Sequence, residues 1–461
     1  MRRGLAKFIM VAMTAGIASI PVATSAVTLR EVLVLAYETN PSLETSRASL
    51  RAQDETVVQA GSGKRASISL SGTAVSADLN ALDSPTNTLR ASLDARLVVF
   101  DAGRTEDAVN AAAYMVFASR ENLKASDQSV LLNAATAYLD VRRDKKFVAL
   151  AQNDVAVVEQ QVQAMQDRFS VGAVTRTDVA LMQARLAVTM TSHAASVRRL
   201  AMSKEIYRAV VGADPVNLQA VPSLPKLPES LAAAESIAMR EHPSILAARF
   251  SENAAGFDVA RARAASSGTV TLGGSLEFSN TSGSTLTIEK SKATISLSGQ
   301  IPIYNGGVLS STIRSAGQIL ESRKAITQNA MRQIRQATAS SWANIRVAEA
   351  SIVAASLQIE ASRIALDSIK EEARLGSRTM LDLLDAEQDL LAARSNLASA
   401  QRDEYVAGLN LLASMGLLNV KNLELGIPAY DPKVNFDAVT SRESTSFSGT
   451  AILNAISDRW K

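Results

Sequence analysis

The chain has 461 residues, of which 47% are hydrophobic and only 4% aromatic, with a formal net charge of +3 and no cysteine. The lack of cysteine excludes disulfides, thiol catalysis, Cys-based zinc sites and the lipidated N-terminal cysteine of a bacterial lipoprotein. A charge this small, interspersed rather than clustered, leaves no footprint for nucleic acid, and abundant alanine with few aromatics suits long, closely packed helices better than an aromatic-lined enzyme pocket.

The N-terminus reads as a secretory signal. Arg2, Arg3 and Lys7 form a basic start, Phe8 to Ile20 a short apolar run, and Ala23-Thr24-Ser25-Ala26 a small-residue cleavage site, with cleavage after Ala26. The run is well short of the roughly 20 residues of a membrane span, so residues 1–26 are set apart from the fold. No later stretch is apolar and charge-free for long enough to cross a membrane as a helix. A membrane-crossing mature chain must therefore do so with β-strands.

A helical segment follows Val27, breaks at Asn40-Pro41 and continues to about Ala60. Two alternating runs come next. Ile68, Leu70, Gly72 and Ala74 alternate with Ser67, Ser69, Ser71 and Thr73; Leu89, Ala91, Leu93, Ala95, Leu97 and Val99 alternate with Arg90, Ser92, Asp94 and Arg96. Period 2 with one apolar face predicts a strand pair over about 66–100, joined by the polar loop Asp83-Ser84-Pro85-Thr86-Asn87. From about Arg104 to Arg168 there is neither proline nor glycine, and Val130, Ala134, Ala137, Val141, Val148, Ala151, Val155, Val158, Val162, Met165 and Phe169 keep 3–4 spacing, broken only at Asp144. That is a coiled-coil seam, on a helix of roughly 100 Å at 1.5 Å per residue. A tight turn at Val171-Gly172-Ala173 leads into a shorter return helix, about Thr177–Val211.

The chain then repeats itself. His242-Pro243 answers Asn40-Pro41, Ile303-Tyr304-Asn305-Gly306-Gly307 answers Val99-Phe100-Asp101-Ala102-Gly103, and Gly376, Thr379, Asp382 and Gly416 answer Gly172, Thr175, Asp178 and Gly212, at an offset of about 202–204 residues. A repeat this long is a duplicated half, not a solenoid unit. Its strand pair lies at about 269–303: Val270, Leu272, Gly274, Leu276 and Phe278, then Ala293, Ile295, Leu297, Gly299, Ile301 and Ile303, joined by the polar loop Asn280-Thr281-Ser282-Gly283-Ser284. Its long helix runs from about Leu309 to Arg374 with Ile352, Ala355, Ile359, Ser362, Leu366, Ile369 and Ala373 on the seam, and its return helix covers about Thr379–Ser414. The expected organisation is a signal at 1–26, a first repeat at 27–212, a linker at 213–228, a second repeat at 229–416 and a tail at 417–461. Helices near 28–60 and 229–265 complete the half-length return helices by stacking on them end to end.

Segments of about ten alternating residues are the signature of outer-membrane strands, against the alternative of a soluble half-buried sheet. Four strands cannot close a barrel, and open edges cannot sit in lipid, so several copies must share one. A dimer would give a filled lumen and a trimer one wide enough to conduct; a tube continuous with the barrel favours three.

These features resemble the TolC family of outer-membrane channel-tunnels across essentially the whole mature chain. The resemblance is carried by Arg168-Phe169-Ser170-Val171-Gly172 with Thr177-Asp178-Val179, by the run Gly376 to Ala386, by Ile301 to Gly307, and by Asn133-Ala134-Ala135-Thr136-Ala137-Tyr138. It implies a mainly α chain with a β-barrel portion: a homotrimer with a twelve-stranded barrel in outer-membrane lipid and a twelve-helix tunnel in the periplasm, belted by the linker and the tail. It implies an exit duct of a tripartite efflux pump or type I secretion system, opened by a periplasmic adaptor (membrane fusion) protein and an inner-membrane transporter of ABC, RND or MFS type. Adaptor docking falls on the helix-hairpin turns at Gly172, Gly376 and Thr379. Family prolines before the first strand of each half are missing at 61–65 and 265–268, and Ala373 stands at an aromatic position of the second turn.

Asp382 and Asp385, three apart on one helix face, are either first-turn acids favoured near a helix N-terminus or, in a trimer, two stacked carboxylate rings that attract cations. The resemblance favours the rings. It also gives Arg378 and Asp178 as groups that lock the closed state, against the plainer reading of solvated turn charges. Gly61-Ser62-Gly63-Lys64 fails as a phosphate loop, because Val58 lies where glycine is needed and Arg65 where Ser or Thr is. His193 on the return-helix seam and His242 at a helix break are too far apart for a metal site. The reading holds no catalytic residue, metal or cofactor, and energy for transport must come from a partner.

Overall fold

The structure, a computed structural model, describes residues 27–77, 86–282 and 287–442. The expected signal, the tip of each strand loop and the last part of the tail lie outside the described residues. The first repeat runs α1 (Leu29–Thr39), α2 (Pro41–Gly61), β1 (Ser67–Ala77), β2 (Thr86–Phe100), α3 (Arg104–Ser170) and α4 (Arg176–Val211). The second runs α5 (Leu231–Glu241), α6 (Pro243–Ala264), β3 (Thr269–Ser282), β4 (Thr287–Gln300), α7 (Val308–Arg374) and α8 (Met380–Ser414), and α9 (Lys433–Arg442) follows.

The four strands form one antiparallel sheet in the order β1-β2-β3-β4. Its register collects the apolar residues into rows across the sheet: Leu70, Leu93, Leu276 and Ala293 in one, Ile68, Ala95, Gly274 and Ile295 in the next. The intervening rows are polar, as in Ser69, Asp94, Ser275 and Thr294. One face is thus apolar over these rows, giving way to Asn280 and Glu289 toward the loop end, and it is bare: Leu70, Ile295 and Leu297 are 76, 86 and 71% exposed. On the polar face Arg90 pairs with Glu277 at 3.0 Å.

Three sequence expectations need correction here. Thr86 and Asn87, and Asn280 to Ser282, are paired strand residues rather than loop, so the strands are longer than the alternation suggested. A bulge between Val98 and Phe100 leaves Val99 out of the ladder and puts Phe100 opposite Val270, on the apolar face. Strand β4 stops at Gln300, so Ile301 and Ile303 are not strand residues.

Near the sheet, α3 packs against α2 and α6; farther away it packs against α4 and α8, while α7 packs against α6, α5 and α8. The end-to-end stacking is fixed at the helix breaks, by a hydrogen bond in one repeat and by a close backbone approach in the other. Asn40 closes the α1–α2 break and donates from Nδ2 to the Val210 carbonyl at the end of α4, at 2.9 Å. In the second repeat, Gly416 past the end of α8 packs so closely on Glu241 and His242 that a Cβ there would meet the Glu241 carbonyl at 2.8 Å.

The main core lies at this level, where α1, α3, α4, α8 and the linker meet around Leu131, Tyr138, Tyr207 and Leu411. The buried Tyr138 hydroxyl donates to the carbonyls of Gln219 (2.8 Å) and Val27 (3.1 Å), tying the linker to the long helix. The break in the seam at Asp144 is a fully buried carboxylate, and it is satisfied: Arg143 Nε lies at 2.9 Å and the Ser203 hydroxyl donates to it. Phe169, placed on the seam by spacing, is 46% exposed at the end of α3, next to the turn into α4.

Candidate channel entrance

The end of the helices remote from the sheet consists of two helical hairpins with the same local chemistry. Each long helix stops at a glycine in the left-handed region, Gly172 at φ +77 and Gly376 at φ +81. A side chain there would be strained. The residue after each glycine turns its N–H back to the helix: Ala173 to the Arg168 carbonyl at 2.9 Å, Ser377 to that of Glu372 at 3.0 Å. Each return helix then starts with a reciprocal cap. Thr175 Oγ1 accepts from the Asp178 N–H at 3.3 Å while Asp178 Oδ2 accepts from the Thr175 N–H at 2.9 Å. Thr379 and Asp382 repeat this at 3.2 and 2.9 Å.

The structure therefore places Asp178 and Asp382 at equivalent positions, each with one carboxylate oxygen committed to its own cap. The threonine hydroxyl, and then the backbone N–H, holds each carboxyl below the usual range. Arg378 donates from Nε to Glu372 Oε2 at 2.9 Å, across its own turn. The hydrogen bonds described for Arg378 and Asp178 stay within their own hairpins.

Other residues connect the two hairpins, and the sequence reading missed them. Gln161 on α3 donates to Glu387 on α8 at 2.8 Å, and Arg185 on α4 donates to Gln388 on α8. Burial pushes the Glu387 carboxyl up. Val158, Val162, Met165 and Met182 of the first hairpin pack with Leu384 of the second around these contacts. No motif marks these positions; the only available signal was that the α8 turn after Asp385 carries two more long polar side chains on its other face.

Asp382 and Asp385 line one cavity, and a third acid, Asp389, lines it with them. A cavity of about 430 Å³ is lined by Ala361, Ser362, Ala365 and Ile369 of α7 and by Arg378, Asp382, Asp385, Ala386 and Asp389. Positions 382, 385 and 389 follow the 3–4 spacing of one helix face, and the small residues of α7 make the room in front of it. At the tips, Val171 and Leu375 stand at equivalent positions and are each 78% exposed.

Comparison with known proteins identifies the class of molecule that this geometry serves. Residues 32–206 and 236–417 match the family described as outer membrane efflux protein. The chain is 34% identical over 415 residues to the outer membrane efflux protein BepC of Brucella suis biovar 1 (strain 1330), covering 90% of this chain and 91% of that one. It is 26% identical over 316 residues to the outer membrane protein TolC of Escherichia coli (strain K12), covering 64 and 63%. Among solved structures, the outer membrane protein VceC of Vibrio cholerae superposes with a TM-score of 0.71 at 20% identity, covering 84% of this chain and 96% of that one, and shows the same fold. The chain belongs to the outer membrane efflux protein family: it is an outer-membrane exit duct, with its sheet in the membrane and its helices in the periplasm.

Proposed function

For a duct of this family, we propose that three copies join edge to edge, so that their sheets close a twelve-stranded barrel and their helices a periplasmic tunnel that narrows at the hairpins. The observation that carries this reading is the four-stranded sheet with two free edges and one bare apolar face. Such a sheet is unsatisfied in lipid as a monomer and satisfied once its edges pair with those of other copies. The linker at 213–228 and the tail form a belt around the tunnel, as part of a chain divided into repeats at 27–212 and 229–416.

Three copies bring Asp382, Asp385 and Asp389 around one axis as stacked carboxylate rings that favour cations over anions. Arg378, held by Glu372, and Asp178, held by Thr175, fix the two turns in one shape and so help to keep the mouth shut. A periplasmic adaptor engages the turns at Gly172, Gly376 and Thr379, where Val171 and Leu375 offer apolar contacts, and an inner-membrane transporter supplies energy and cargo. In planar bilayers the purified protein should give cation-preferring conductance steps that trivalent cations block from the side carrying the hairpins. A protein that forms no pore overturns the duct; pores without cation preference overturn the carboxylate rings alone.

A further inference from the structure

Two grooves related by the internal repeat differ in what fills them. The groove between α2 and α3 holds α9. Asn435 Nδ2 donates to Asp54 Oδ2 at 2.7 Å, Tyr430 lies over the Arg47 guanidinium at 5.4 Å, and Phe436 over that of Arg120 at 4.9 Å. Beneath this strap Leu50, Asp54 and Val116 are 2, 0 and 0% exposed. The repeat carries those three positions to Glu252, Gly256 and Leu320, all of which are half-buried rather than covered. They line an open groove of about 490 Å³ between α6 and α7, into which α3 contributes Asp107 and Tyr114, and α6 also Phe257.

The two grooves are continuous. Phe436 covers Arg120, Arg120 lies over Phe117 at 5.4 Å, Phe117 meets Tyr114 at 5.7 Å and Phe250 at 5.6 Å, and Tyr114 stacks on Phe257 at 5.4 Å. In a chain with 4% aromatic residues this is a marked concentration, and it leads from the occupied groove across α3 into the open one. The chemistry is reversed between them: the first offers arginines to aromatic rings, the second offers aromatic rings and carboxylates. Its occupant should bring apolar side chains and a cation.

The strap ends at Arg442, and residues 443–461 follow. In sequence they carry Ile452, Leu453, Ile456 and Trp460 at 3–4 spacing, then Arg459 and Lys461 at the end. The eight residues 443–450 reach about 26 Å when extended, against about 20 Å for the two helix spacings from one groove to the other, at about 10 Å each. We propose that residues 443–461 of the same chain dock in the groove between α6 and α7, as α9 docks between α2 and α3, so that the tail clasps both repeats.

The test uses the full-length protein, which has no native cysteine. Gly256→Cys is tolerated by space, because a Cβ there meets nothing within 4 Å. With the native tail, this cysteine should react with a water-soluble maleimide at least about tenfold more slowly than in the same protein carrying Ile456→Asp and Trp460→Asp. Val347→Cys, on a surface that is 64% exposed, should react equally fast with both tails. Fast labelling with the native tail means an open groove and overturns the proposal. Slow labelling with both tails means that something else covers the groove, and overturns it too. A Gly256→Cys, Ile456→Cys pair should form a disulfide within one chain on mild oxidation; cross-linking only between chains assigns the groove to a neighbouring copy and contradicts the proposal.

Discussion

His242 and Asn40 cap equivalent helices with different chemistry. Asn40 Oδ1 accepts from the Ser42 N–H at 3.0 Å, and His242 Nδ1 accepts from the Ser244 N–H at 3.1 Å. The imidazole must be neutral at Nδ1 to accept, and burial holds its pKa down to about 4. In the unfolded chain the same group titrates near 6.5.

A pH dependence of stability follows from that joint. Between about pH 6.5 and 4 the unfolded chain binds a proton that the folded one excludes, so stability falls as pH drops through this window and is fully present above it. The loss is of order 3 kcal/mol from this group. His242→Asn copies the first repeat and should keep the cap without the titration. Thermal unfolding at pH 7.5 and 4.5 should therefore show a smaller acid loss in the variant; equal losses would remove His242 as the cause.

The faces of the sheet can be read by labelling. Single cysteines at Leu93 and Ile295 should resist a water-soluble thiol reagent in intact outer membranes, while those at Asp94 and Ser296 should react, because the register puts the first pair on the apolar face. The reverse pattern would turn the sheet inside out.

Charge and cap can be separated at the entrance. Asp382→Asn and Asp385→Asn keep side-chain oxygens, so the reciprocal bond with Thr379 survives in large part while the charge goes. Single-channel recording should show weaker block by a trivalent cation and reduced cation preference, and adding Asp389→Asn should reduce both further. Unchanged block in the triple variant would make these acids helix-start residues only. Thr379→Ala, by contrast, should cost about 1 kcal/mol of local helix stability.

The link between hairpins within a protomer should resist opening. Replacing Gln161 and Arg185 by alanine removes the two hydrogen bonds between the hairpins nearest their tips, each contributing about 1 kcal/mol, and leaves the Arg402–Asp140 pair farther up in place. The open fraction should rise about tenfold or more, read as more frequent high-conductance events. Arg378→Ala frees Glu372 and should have a smaller effect in the same direction. A wild-type open fraction in the Gln161, Arg185 variant would place the latch elsewhere.

Much of this fold is legible in the sequence because its signals are periodic and occur twice. Period 2 over Leu89 to Leu97 and 3–4 spacing from Val130 to Met165 each leave one reading, and Pro41, Gly172, Pro243 and Gly376 mark breaks that the structure keeps. The bulge at Val99 was not legible, since inserting one residue changes the ladder and not the composition. The contacts between hairpins were not legible either: Gln161 and Glu387 are 226 residues apart, and each looks like an ordinary surface residue of its own helix. Asp389 escaped because the motif ends before it; the cavity, made by Ala361 and Ala365 on the facing helix, is what groups it with Asp382 and Asp385.

The oligomer formed by that open sheet is tested most directly by the native mass of the complex extracted from outer membranes in mild detergent. A mass of three mature chains, unchanged on dilution and without covalent lipid, is the expected result. A stable monomer, soluble without detergent, would contradict both the shared barrel and the duct built on it.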